Sequence, residues 1–120
     1  MMNDILKELK GIGADVDGIL ELFGSDASVY ERLLKKFIND ESYYQGIIDS
    51  IEEGDFEEAV LNAHTLEGAA ANLGFTELSA AGANILTKLQ DGKTDDFKAD
   101  LERLTEEYNK IKNILAGYIS

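Results

Sequence analysis

No proline interrupts this chain, and from Tyr30 to Tyr118 its apolar residues recur three and four positions apart. A strand repeats its faces every second residue, so this period restricts the chain to α-helices whose apolar stripes must bury one another. Tyr30, Leu33, Leu34, Phe37, Ile38, Tyr44, Ile47, Ile48 and Ile51 read as one long amphipathic helix kinked near Gly46. Asp55 then suits an N-cap, with Glu57 and Glu58 in the first turn complementing the helix dipole, and Phe56, Ala59, Val60, Ala63, Leu66, Ala70 and Leu73 forming a core stripe. Gly74 closes that helix, and Thr76 and Ser79 lie near the start of the next, whose stripe is Leu78, Ala81, Gly82, Ile85 and Leu89. After the turn "QDGKT", Phe97, Leu101, Leu104, Tyr108, Ile111, Leu115 and Tyr118 alternate by four and three as the seam of an antiparallel bundle. The expected fold is all-α: an up-down-up-down four-helix bundle over residues 26–118, with one or two short N-terminal helices within residues 3–23. At 120 residues, 44% of them hydrophobic, the chain can bury one core, and 1–120 is read as a single domain.

Charge and composition remove several classes of function. A net charge of −13 with no local Lys/Arg cluster argues against nucleic acid and anionic membrane as partners. The chain has no cysteine, hence no disulfide and no thiol nucleophile, and its single histidine excludes a multi-histidine metal centre. The start, "MMNDILKELK", lacks the apolar run of a secretory signal, and no stretch of about 20 apolar residues could span a membrane. A cytoplasmic, monomeric protein is expected, free-standing because it opens on Met and closes on a helix. The segment "DVDG" at 15–18 hints at calcium, but the required loop would begin at Gly13 and end at Gly24, where ligands are needed.

The chemistry then concentrates on "NAHTLEGAAANLGF", residues 62–75, which holds that histidine, His64. At 100° per residue His64 falls about 120° from the core direction of its helix, so its imidazole is expected at the surface. Val60, Glu67, Gly68 and Ala71 share its face. A mid-helix glycine costs about 1 kcal/mol relative to alanine, so Gly68 implies a close approach, either by the next helix or by another molecule reaching His64. An exposed neutral imidazole offers a lone pair as a nucleophile or phosphoryl acceptor. A Ser-His-Asp hydrolase is poorly supported, because no nucleophile-elbow sequence is present.

The segment "AHTLEGAAANLGFTELSAAGANIL" resembles the histidine-containing phosphotransfer (HPt) domain, whose signature is roughly A-H-x-L-K-G-x-A-x-x-L-G; Ala63, His64, Leu66, Gly68, Ala70, Leu73 and Gly74 match it in register. "GSDASVYERLLKKFIND" and "IEEGDFEEA" resemble the segments that precede it, so the likeness covers nearly the whole chain. The resemblance implies a phosphoryl carrier in a multistep His-Asp phosphorelay, not an autonomous kinase. His64 would accept a phosphoryl group, through Nε2, from the aspartyl phosphate of a receiver domain and pass it to another receiver. It also implies response-regulator receivers or a hybrid sensor kinase as partners, and no cofactor of the carrier's own, Mg²⁺ being supplied by the receiver. Val60, Gly68 and Ala71 would form the docking face.

Two positions depart from the family. The residue three after the histidine is usually Lys or Arg and can contact the phosphoryl group; here it is Glu67. A carboxylate about 6 Å from a phosphoryl dianion costs on the order of 1 kcal/mol before screening. Where some members have a polar residue on the following helix bonded to the imidazole, this chain has Leu86, and Lys88 or Gln90 is expected to compensate near the phosphoryl group. The alternative reading that Glu67 motivates is an HPt-like module that docks on a receiver or kinase, as an inhibitor, without being phosphorylated.

Overall fold

Local capping determines where most helices begin. The computed structural model describes residues 2–24 and 26–119, and among these it has seven helices and no strand. Two short helices, α1 (Met2–Gly11) and α2 (Val16–Leu22), come first, as expected. The Asp15 carboxylate caps α2 by accepting the Gly18 N–H at 3.1 Å, and Asp17 pairs with Lys10 at 2.9 Å. Both acids of "DVDG" therefore serve helix ends and contacts. Among the described residues no group of three or more potential ligands is placed to hold a metal ion.

The one long helix expected after these is two helices, α3 (Ala27–Asn39) and α4 (Ser42–Glu53), and the break falls at Asp40–Glu41 rather than at Gly46. Asp40 leaves the helical conformation, at φ −117° and ψ 95°, and its carboxylate accepts the Ser42 N–H at 3.1 Å and the Ser42 hydroxyl. Side chains of this kind offer the backbone an alternative to the helical ladder, so the Asp-Glu-Ser stretch restarts the helix. These bonds from Ser42 also hold the Asp40 carboxyl below the usual range. Gly46 has a different use: a Cβ there would lie 2.7 Å from Asn62 Nδ2, so the missing side chain lets α4 and α5 approach.

The next three helices, α5 (Phe56–Asn72), α6 (Thr76–Gln90) and α7 (Lys98–Ile119), start close to the expected positions. Asp55 caps α5 through the Glu58 N–H at 3.2 Å. Helix α5 packs along α4 and α6 along α5, while α7 lies against α6, α3 and α1. Helices α4 and α7 meet where Tyr44 stacks on Tyr108 with ring centroids 4.0 Å apart and Lys112 pairs with Glu41 at 2.6 Å. The core runs through all of them: Leu9, Tyr30, Leu34, Ile47, Ala63, Leu78, Ile85, Leu104 and Leu115 are buried. Phe56, Val60 and Leu101, expected inside, are half-buried at its margin. The side chain of Tyr118 lies outside the described residues.

The N-terminal helices are fixed at one point by geometry that only glycine tolerates. Gly74 has φ +79°, and a Cβ there would be 2.8 Å from the Asp15 carbonyl oxygen and 2.9 Å from Ile19 Cγ1. Across this contact the Asp15 N–H donates to the Gly74 carbonyl at 2.8 Å, and the Tyr30 hydroxyl donates to the neighbouring Leu73 carbonyl at 2.7 Å. The turn between α5 and α6 is thus anchored at its back.

Candidate functional site

His64 stands near the middle of α5, eight residues after its first residue, Phe56. The buried side of that helix carries Ala59, Ala63, Leu66 and Ala70. His64 is exposed, and its ring has no hydrogen bond to a described residue. It is about 14 Å along the axis from the Asp55 cap, too far for the helix N-terminus to act on it.

The small residues around it divide by purpose. Gly82 of α6 is buried, and a Cβ there would be 3.7 Å from the Glu67 Cα and Cβ. The Ser79 hydroxyl donates to the Glu67 carbonyl at 3.1 Å, so Ser79 and Gly82 seat α6 closely on the Glu67 backbone. Gly68 is exposed, and a Cβ built there meets nothing within 4 Å. Among the described residues no neighbouring helix explains that glycine. Ala71, one turn further, is exposed, and Val60, one turn before His64, is half-buried.

The charged and polar neighbours fall differently from expectation. Glu67 is half-buried and its carboxylate makes no hydrogen bond or ion pair with a described residue. With Ser79 and Gly82 against Glu67, the antiparallel register brings residues 82–85 level with His64 and puts Leu86 just beyond them, and Leu86 is buried, 9% exposed. Lys88 does not turn toward that face. Its ammonium is 2.6 Å from Asp100 Oδ2, donates to the Asp96 carbonyl at 2.6 Å and lies 5.1 Å from the Phe97 ring centroid. It holds the start of α7. Gln90, exposed at the end of α6, is about 6 Å beyond the level of Leu86.

Two features escape the periodic reading. Leu61, three residues before His64 and so on the same face, is 63% exposed, and its i−3 spacing was the available signal. The other is a groove of about 590 Å³ between α2, α3, α4 and the second half of α5, lined by Leu22, Phe23, Leu33, Phe37, Tyr43 and Leu66 among others. Leu66 and Ala69 lie about 140–160° around α5 from His64, but Ala71, two turns after His64 on its own face, also lines the groove, which therefore reaches the far end of that face.

A family model described as "Hpt domain" matches residues 19–114 of the 120-residue chain. The chain belongs to the Hpt domain family. Hpt domains are phosphocarrier modules rather than kinases; they act in His-Asp phosphorelays of two-component signalling and interact with receiver domains and kinases. No curated protein and no solved structure matches the chain. None of the described helices is long and apolar enough to cross a membrane.

Proposed function

We propose that His64 is the phosphoacceptor through which this Hpt domain accepts a phosphoryl group from a receiver aspartate and delivers it to another. The observation that carries this reading is the combination of an exposed imidazole, without a hydrogen bond to any described residue, with Gly68 beside it, whose missing side chain faces open space. In-line transfer requires a partner's active-site loops within a few ångströms of the nucleophile, and a bare helix face permits that approach. The His64 Nε2 lone pair attacks phosphorus, a P–N bond forms, and the acyl P–O bond breaks with its electron pair returning to the aspartate carboxylate. Charge on the phosphoryl oxygens is neutralised by Mg²⁺ bound to the receiver. This chain contributes the nucleophile and the docking face of Val60, Leu61, Gly68 and Ala71. Within this reading α4 to α7 form the up-down-up-down bundle, and the domain works as a cytoplasmic monomer.

The deciding experiment is incubation with a phosphorylated receiver and Mg²⁺. Label retained on the wild type and absent from His64→Gln is the expected result, and label on neither sinks the carrier. The second reading, a docking module or inhibitor that is not phosphorylated, is favoured by one observation, the free Glu67 carboxylate on the acceptor face. It predicts receiver binding without label.

A further inference from the structure

The charge that α5 itself carries is of one sign. Helix α5 contains Glu57, Glu58 and Glu67 and no lysine or arginine. The cation expected to serve this face from α6, Lys88, is held between Asp100 and the Asp96 carbonyl. Glu67 has a fixed root, pinned to α6 by Ser79 and Gly82, and a carboxylate with no partner among the described residues. Three residues from His64 on the same surface, it is a neighbour of the imidazole, with the two Cβ atoms about 5–6 Å apart.

A phosphoryl group on His64 brings up to two more negative charges to this place, and nothing on α5 balances them. The balancing charge can come from the docked partner. We infer that Glu67 is a specificity-determining residue, selecting receivers that set a lysine or arginine against it when they dock over His64. Such a side chain pairs with Glu67 before transfer and stays beside the phosphoryl group after it. A receiver presenting a carboxylate there meets repulsion from the start. The net charge of −13 acts in the same direction at longer range, raising the encounter rate of basic faces.

The inference rests on the acceptor role proposed for His64, and the test keeps the two apart. Phosphoramidate, a small donor needing no docking, is first applied to the wild type, Glu67→Gln, Glu67→Lys and His64→Gln. Label on all but the last establishes the carrier independently of any partner. A panel of isolated receiver domains of differing surface charge is then titrated calorimetrically against the same proteins, and transfer from their phosphorylated forms is timed. The receiver that serves the wild type best is expected to bind and transfer roughly tenfold more weakly to Glu67→Lys, with Glu67→Gln intermediate and the gap narrowing at high salt. Reversing one lysine or arginine of that receiver at a time should reveal a position whose change to Glu restores Glu67→Lys. A panel in which no receiver prefers the wild type to Glu67→Lys overturns the inference, since Glu67 would then be only a handicap that a lysine relieves. Because binding is read separately from label, selectivity without phosphorylation refutes the carrier alone.

Discussion

Glycine serves opposite purposes at Gly68, in the last turns of α5, and at Gly74, in the turn that links α5 to α6, and substitution separates them. Gly68 has open space where a Cβ would be, so Gly68→Ala should stabilise the fold by about 0.5–1 kcal/mol, measured by urea unfolding. Gly68→Gln should fold as well, yet slow transfer from a receiver at least tenfold, because its side chain occupies the approach to His64. Normal transfer by Gly68→Gln would remove the access argument. At Gly74, with its positive φ and the Asp15 carbonyl 2.8 Å from a Cβ position, a side chain meets backbone that cannot yield cheaply. The exposure of His64 was legible in the sequence, because one residue's direction relative to its own helix's core stripe is a local matter. The commitment of Lys88 was not, because its partner Asp100 lies on another helix and reach across a turn has no sequence period.

At the scale of the helix, the Lys88 contact gives a sharp distinction. Its half-buried ion pair with Asp100 and the bond to the Asp96 carbonyl join the end of α6 to the start of α7, so Lys88→Met should cost about 1–2 kcal/mol of stability. Transfer through His64 should be unchanged once the variant is folded. A lost phosphoryl lifetime at full stability would return Lys88 to the acceptor site. The division of the expected long helix into α3 and α4 had a visible local cause. No stripe residue falls between Ile38 and Tyr44, and Asp40 with Ser42 has the chemistry of a cap. The apolar period on either side, however, is equally good for one helix or two. What the break does in space is open the groove, since Phe37, Asp40 and Tyr43 around it line one wall.

For the whole molecule, two buried tyrosines tie stability to alkaline pH. Burial, with Asp15 nearby, pushes Tyr30 up to about 12; burial, then Glu41 and Tyr44, pushes Tyr108 higher, and its hydroxyl has no hydrogen-bond partner among the described residues. Unfolded tyrosines ionise near pH 10, so between about 10 and 12 the unfolded chain has lost protons that the fold retains. Their contribution is full below about pH 10 and declines as pH rises through that window, which the urea midpoint should follow. Tyr108→Phe should make the decline shallower and leave neutral-pH stability equal or higher, as an unpaired buried hydroxyl is removed. A midpoint unchanged to about pH 12 contradicts this account. The sequence by itself determined the helical class, most helix starts, the core stripes and the outward direction of His64, because period and capping act within a few residues. Only the tertiary structure decided that Gly68 faces open space while Gly82 faces a helix, that Lys88 is spent on α7 and that Glu67 has no partner among the described residues. Those outcomes depend on which helices become neighbours and in what register, and a repeating apolar pattern admits several registers until side chains from different helices meet.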